Sequence, residues 1–395
     1  MISVEEALEI VLSKPGTYGV EKVSLQAAGN RFLANDIFSD RDSPPFDRVM
    51  MDGIAIDSTV LNLNEPDGFL IESIQAAGDT QKTLTDKNNC IEVMTGAILP
   101  ANTDTVVPYE DIDIVNARAF IKQTITPKKY IHWQGSDHKK DQLASGKNKR
   151  LNAADIGLLA SVGIADVPVF TMPKVAIVAT GNELVDVKEI PQQHQVRMSN
   201  VYSLQTALLN DMIVADIFHI TDDEEMLITE FSKIIKEYDV VLISGGVSKG
   251  KYDYVPLVLE KLEVQKLFHQ VAQRPGKPFW FGIQEQLKTH VFAFPGNPVS
   301  TFVCYQFYFR HWLLCIFGNQ LKLPLMILSD DISASNSLSQ FIPVKLNTNG
   351  NEASIVTNNG SGDLFSLSAI DGFIYLPKGD KAYPGKSSFP FLRIA

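Results

Sequence analysis

Between Lys174 and Gly318 short, continuously apolar runs alternate with amphipathic stretches, and this alternation predicts strands joined by helices. The strands are expected at Lys174–Ala179, Ile213–Phe218, Val240–Ile243 and Val291–Phe294. The helices are expected around Ser203–Leu209, Glu224–Lys236, Val255–Leu262 and Val299–Phe317. Such a sequence of elements describes a three-layer α/β domain around a mostly parallel sheet. Open sheets of this kind bind ligands at the carboxyl ends of their strands, where Gly181, Gly245-Gly246 and Pro295-Gly296 fall. The run from Val291 to Phe317 is too often broken by polar residues and prolines to span a membrane, and reads as a strand, a turn and a buried helix.

The flanks carry other patterns. Residues 3–14 and 151–163 read as helices capped by Ser3 and Asn152, with Leu151, Ile156, Leu159, Ala160 and Val162 on one apolar face. Both fit one helical platform. The turn-rich stretch from about Val20 to Gly146 holds β-like runs such as Phe69-Leu70-Ile71 and Thr105-Val106-Val107, which predicts a β-rich insertion. After Leu323-Pro324 short β runs are punctuated by Asn349-Gly350, Asn359-Gly360, Asp371-Gly372 and Pro384-Gly385, the signature of a small terminal β domain.

A chain of 395 residues is longer than one core usually organises, so several domains are expected. The net charge of −11 argues against a nucleic-acid partner held by bulk electrostatics; an anionic ligand must be caught by local cations. Cys90, Cys304 and Cys315 form no paired motif, which fits a reducing compartment and buried thiols. The acidic start Met1-Ile2-Ser3-Val4-Glu5-Glu6 lacks the features of a secretion signal, so a cytoplasmic location without membrane attachment is expected. No zinc-hydrolase, nucleophile-elbow or P-loop spacing occurs.

The chemistry concentrates in a few turns. Glu183, in Thr180-Gly181-Asn182-Glu183-Leu184, would project from the carboxyl edge of a strand as a magnesium ligand or cap a neighbouring turn. Asp253 follows the Gly245-Gly246 turn and could cap the next helix or face a ligand; Lys249 and Lys251 nearby could touch phosphate or remain solvated. Arg274 and Lys277 flank Pro275-Gly276 and can aim a planar fork and a point charge at one tetrahedral oxyanion. Ser300, just after Pro295-Gly296-Asn297-Pro298, offers a hydroxyl and a helix start to the same anion. Asp52 and Thr95 sit in tight turns of the β insertion, placed either to organise their own backbone or to reach a ligand.

With Met51-Asp52-Gly53, Met94-Thr95-Gly96-Ala97, Thr180-Gly181-Asn182-Glu183-Leu184, Ser244-Gly245-Gly246-Val247-Ser248, Arg274-Pro275-Gly276-Lys277-Pro278 and Pro295-Gly296-Asn297-Pro298-Val299-Ser300 in this order, the chain resembles the MoeA-type molybdopterin molybdenumtransferases, to which the E domain of gephyrin is also similar. The resemblance runs nearly end to end. It implies a homodimer of four-domain subunits: a discontinuous helical domain (1–19, 38–47 and 134–171), a β-rich inserted domain (20–37 and 48–133), an α/β molybdopterin-binding domain (172–321) and a C-terminal β-barrel (322–395). It also implies that adenylylated molybdopterin exchanges its AMP for molybdate with Mg2+ assisting, downstream of a molybdopterin adenylyltransferase.

On the family pattern, Glu183, Asp137, Asp222 and Asp253 line the nucleotide and metal end, with Glu183 and Asp253 as metal ligands. Arg274, Lys277, Ser300 and Ser361 suit molybdate; Gly181, Ser244, Gly245, Gly246, Pro295 and Pro298 complete the binding surface; Asp52 and Thr95 come from the second subunit. Five departures stand out. Asn182 and Met198 replace frequent Asp residues, Arg274 a frequent Lys, Val49-Met50 a small Ser-Ala pair, and Pro343 an Arg associated with molybdate. Two other readings of the same residues are a molybdopterin-binding scaffold without turnover and the adenylyltransferase of the preceding step.

Overall fold

Helix α1 (Val4–Leu12) starts at a capping box: Ser3 Oγ accepts from Glu6 N, and the Glu6 carboxylate accepts from Ser3 N. Its buried residues, Val4, Ala7 and Val11, recur at helical spacing. The computed structural model describes residues 1–61, 67–248, 253–332, 337–379 and 381–394. Two compact units are present, one of Met1–Lys22, Asn30–Ala34 and Pro168–Ala395, the other of Val23–Gly29 and Asn35–Val167.

The second unit is built on a six-stranded sheet of β1 (Gly53–Ile56), β2 (Phe69–Gln75), β3 (Cys90–Val93), β4 (Thr105–Pro108), β5 (Ile112–Val115) and β6 (Arg118–Ile121), in the order β4-β1-β3-β2-β6-β5. All neighbours are antiparallel except β2 and β3. Alternation along the strands feeds two cores: Ala55, Ile91, Val93 and Val106 face one, and Ile54, Ile56, Cys90 and Val107 the other. Helix α2 (Ala153–Ser161) closes the unit behind a second capping box, Asn152 with Asp155.

In the first unit, β7 (Val175–Thr180) leads into a small parallel pair, β8 (Leu184–Val185) and β9 (Val196–Arg197), and then into α3 (Ser199–Asn210). There follow β10 (Ala215–Ile220), α4 (Glu224–Glu237), β11 (Val240–Ser244), α5 (Val255–Lys261), β12 (Gln265–His269), β13 (Gln273–Arg274), β14 (Trp280–Gln284), β15 (Thr289–Phe294), α6 (Pro298–Cys304) and α7 (Arg310–Ile316). The main sheet runs β10-β7-β11-β15-β14-β12, parallel through its first four strands and antiparallel at β14 and β12.

Period-two alternation gives this sheet its three layers. Val175, Ile177, Val240, Leu242 and Phe292 face α1, α3 and the helical run from Pro298 to Ile316, while Ala176, Val178, Val241, Ile243 and Val291 face α4 and α5. Both faces of β7, β11 and β15 are covered, so these strands are buried along their whole length. A π-turn at Tyr305–Phe309 carries α6 into α7. Strand β10 begins two residues later than the apolar run predicts. Met212 takes the left-handed conformation (φ 63°), and Met212 N and Ile213 N bond to Leu209 O and Leu208 O, so Ile213 closes α3 before the strand begins.

The C-terminal strands β16 (Leu325–Leu328), β17 (Ser339–Leu346), β18 (Glu352–Ile355), β19 (Gly372–Leu376) and β20 (Ser387–Arg393) pair in the order β17-β18-β16-β20-β19. The pairing of β17 with β19 closes them into a five-stranded barrel, and closure removes the free edges. β13 pairs in parallel with β17 through Gln273↔Ser339, and α8 (Leu364–Ser368) lies between β18 and β19.

Candidate functional site

At the carboxyl edge of the parallel strands four loops surround a cleft of about 1310 Å³. Thr180-Gly181 follows β7, Asp222 follows β10, Ser244-Gly245-Gly246 follows β11, and Pro295-Gly296 follows β15. The turn after β13, Arg274 to Pro278, and residues 355–362 after β18 complete the wall. This is where an open parallel sheet leaves its backbone donors exposed.

Carboxylates gather on the β7 and β10 side. The Glu183 carboxylate folds back so closely over Gly181 (φ 149°) that a Cβ there would stand 2.8 Å from both of its oxygens. Gly245 (φ 107°) is held as tightly, since a Cβ would stand 2.6 Å from the Thr180 carbonyl oxygen. His219 Nε2 donates to Gly181 O at 3.1 Å, and Asn182 Oδ1 accepts from Asp222 N at 3.0 Å, so the two loops brace each other. The Asp222 carboxyl is held above its usual range, first by burial and then by the negative charge of Glu183, with Asp253 adding to it; the Asn182 backbone N–H and His219 pull the other way. Three carboxylates thus share one electrostatic neighbourhood.

Asn182 makes the bracing bond without adding a fourth negative charge. Its side-chain oxygen performs the hydrogen-bonding part of what an Asp would do there.

Cations occupy another wall. Arg274 and Lys277 flank a cis Arg274–Pro275 bond, and neither forms an ion pair among the described residues. Their turn rests on the fully buried Gln273, whose Nε2 donates to Pro275 O at 2.9 Å and whose Oε1 accepts from Tyr308 OH. Cys304 Sγ, also buried, lies 3.8 Å from Gly276 O. Ser300 lines the cleft and is buried. Ser361 is docked onto the start of α6: its carbonyl accepts from Val299 N at 3.0 Å and its Oγ from Asn297 Nδ2 at 2.8 Å. With that lone pair engaged, the Ser361 O–H is left to donate. Pro343 lines the cleft as a ring without a donor.

Asn200, at the start of α3, ties three of the loops together. Its Nδ2 donates to Ser244 Oγ at 2.8 Å and Gly296 O at 2.7 Å, and lies 3.2 Å from Thr301 Oγ1. Asn200→Ala is expected to lower stability by about 1–3 kcal/mol in chemical denaturation, because the groups it serves are left without a partner. Asn200→Asp should not restore it, since a carboxylate offers no N–H; wild-type stability in either variant would refute the clamp.

The second unit holds the remaining predicted residues. Asp52 Oδ1 accepts from Thr95 N at 2.6 Å and Thr95 Oγ1 at 2.7 Å, and these bonds hold its carboxyl below the usual range. Asp137 Oδ1 lies 2.7 Å from His132 Nε2, and His132 Nδ1 lies 2.9 Å from Arg48 Nη2. Arginine can only donate, so Nδ1 accepts and the imidazole proton sits on Nε2, directed at Asp137. The facing pairs Val49↔Ile131 and Arg48↔His132 fix this chain in register.

The first-unit cleft therefore gathers Gly181, Glu183, Asp222, Ser244, Gly245, Gly246, Asp253, Arg274, Lys277, Pro295, Pro298, Ser300 and Ser361. Asp52, Thr95 and Asp137 belong to the other unit and do not line it. Lys249 and Lys251 lie outside the described residues. Sequence reasoning missed Asn200, Gln273 and Arg197 in the first unit and Arg48 and His132 in the second. The roles of Asn200, Gln273 and Arg48 depend on partners 44 or more residues away for Asn200, 35 away for Gln273 with Tyr308, and 84 away for Arg48 with His132, so no local pattern marks these three.

The site is that of a three-layer α/β protein whose cleft sets clustered carboxylates with cations that form no ion pair among the described residues. Residues 2–163 match the family model of the MoeA N-terminal region (domain I and II), and residues 176–314 that of a probable molybdopterin binding domain. A molybdopterin molybdenumtransferase of Synechocystis is 36% identical over 398 residues, covering 99% of both chains, and one of Staphylococcus epidermidis is 28% identical over 392 residues, covering 97% of this chain and 93% of its own. A molybdopterin biosynthesis MoeA protein of Pyrococcus horikoshii superposes with a TM-score of 0.85 at 27% identity, covering 100% of both chains. The chain belongs to the MoeA family of molybdopterin molybdenumtransferases; it is a transferase with a role in molybdenum cofactor biosynthesis.

Proposed function

We propose that this protein inserts molybdate into adenylylated molybdopterin and releases AMP. The observation that carries the reading is the convergence in one cleft of Glu183, Asp222 and Asp253 with Arg274, Lys277, Ser300 and Ser361. Arg274 and Lys277 bind and orient the tetrahedral oxyanion, the first as a fork and the second as a point charge. Ser300 and Ser361 add hydroxyl donors, and the Gly245-Gly246 turn lets the substrate approach the backbone closely.

The carboxylate side suits a magnesium ion. The mutual repulsion of Glu183, Asp222 and Asp253 is what a dication relieves. Among the described residues no three His, Cys, Asp or Glu side chains form a cage. That suits an ion which keeps several waters and takes one or two carboxylates plus substrate phosphate. Glu183 and Asp253 would hold it, and when bound it supplies charge neutralisation at the phosphoanhydride.

Asp52 and Thr95 complete the site from a second subunit and Asp137 serves its nucleotide and metal end, so the working form is a homodimer of four-domain subunits with the boundaries given above. A molybdopterin adenylyltransferase acts upstream, and the protein works in the cytoplasm without nucleic acid or membrane. The negative net charge supports the reading without a nucleic-acid partner, and among the described residues no helix is long and apolar enough to cross a membrane.

Purified protein supplied with adenylylated molybdopterin, Mg2+ and molybdate should release AMP in a molybdate-dependent manner. ATP consumption with unmodified molybdopterin would instead identify the preceding step, and substrate binding without AMP release a scaffold.

A further inference from the structure

One cation of the cleft has no role in the scheme above. Arg197 lines the cavity from β9, on the side where Glu183 lies. Its place is set by backbone pairing: Val196 N donates to Glu183 O at 2.9 Å, Arg197 faces Val185 in register, and Met198 N donates to Val185 O at 3.1 Å. The head group is tethered through a single bond, Nε to Glu189 O at 3.1 Å. Glu189 is itself tied into its loop, since its backbone N–H donates to Asp186 O and its carboxylate accepts from Asp186 N. Among the described residues no carboxylate forms an ion pair with Arg197, and its Nη groups keep their donors.

A guanidinium held at Nε with both Nη groups open is prepared for bidentate contact with an oxyanion. The surroundings say which one. Glu183, Asp222 and Asp253 create a negative field that repels a phosphate brought against them, and a cation that enters the same cleft from the strand paired to Glu183 offsets part of that repulsion. The oxyanion pair Arg274 and Lys277 stands on a different element, the turn after β13. From this separation we propose that Arg197 is a substrate-binding residue that takes a phosphate oxyanion of the nucleotide portion of the substrate, distinct from the molybdate subsite. The assignment rests on the reading of the cleft given above.

The test is equilibrium binding to the full-length protein at low ionic strength with AMP, adenosine, inorganic phosphate and molybdate as separate probes. Arg197→Ala should weaken AMP about tenfold, the loss expected of a charge-assisted bidentate contact. Adenosine and molybdate affinities should stay at wild-type values, and Arg197→Lys should recover part of the AMP affinity as a point charge without the fork. Inorganic phosphate should weaken with AMP if Arg197 grips the phosphate itself. Equal AMP affinity in wild type and Arg197→Ala overturns the role of Arg197 alone, and so does an equal loss for adenosine, which would mark a disturbed wall. Wild-type protein with no affinity for AMP overturns the nucleotide reading of the cleft and this assignment with it.

Discussion

Replacement of Lys277 by alanine is expected to raise the molybdate concentration for half-maximal AMP release by roughly 30- to 150-fold, the equivalent of about 2–3 kcal/mol for a lost hydrogen bond between charged groups. The size of the effect follows from how few cations face this subsite. Arg274 and Lys277 share one turn, and Pro343, which also lines the cleft, contributes no donor. On the proposed reading, with Lys277 removed, Arg274 and the hydroxyls of Ser300 and Ser361 remain among the described residues. The turn itself should survive, because its support comes from below, from Gln273 and Tyr308 rather than from the lysine. AMP affinity should therefore be preserved, and the dependence of molybdate binding on salt should become shallower. Lys277→Arg should return part of the lost affinity. Molybdate saturation at the wild-type concentration in Lys277→Ala would remove Lys277 from the subsite.

Much of this arrangement was legible in the sequence, for a reason that can be stated. Strands buried on both faces must be apolar throughout, so β7, β11 and β15 announced themselves as short unbroken runs, and the glycine and proline turns after them marked the carboxyl edge. What followed each run in sequence also followed it in space. The cleft residues Glu183, Gly245 and Ser300 were accessible to reading for that reason.

Boundaries governed by helix ends were less legible. Ile213 is as apolar as any strand residue, yet it serves the C-terminus of α3, because the left-handed turn at Met212 ordinarily calls for glycine and here is made by methionine. Residues acting through distant partners were not legible at all. Asn200 looks like an ordinary helix-start residue until Ser244 and Gly296 are brought to it, and Gln273 is an unremarked polar residue until Tyr308 meets it. The His132 tautomer likewise depends on a strand pairing that joins Arg48 to it across 84 residues. Long-range pairing specifies these groups, and composition carries no trace of it.

The division of site residues between the two units leads to the remaining prediction. Asp52→Ala and Glu183→Ala should each cut turnover by about 100-fold or more when assayed alone, in the range found on removing a group that supports the reacting centre. Mixed as equal amounts and exchanged between subunits, the two inactive proteins should regain about a quarter of wild-type activity. The fraction follows from symmetry: half of the dimers are mixed, and in each of these one site receives both intact residues while the other receives both lesions. A site built within one chain gives a different result, because every copy then carries one lesion and exchange changes nothing. Confirmed heterodimers with no recovered turnover would therefore place Asp52 and Glu183 in one and the same chain's site, whereas recovery near a quarter requires that Asp52, seated by Thr95 in its tight turn, works against the Glu183 cleft of the other subunit.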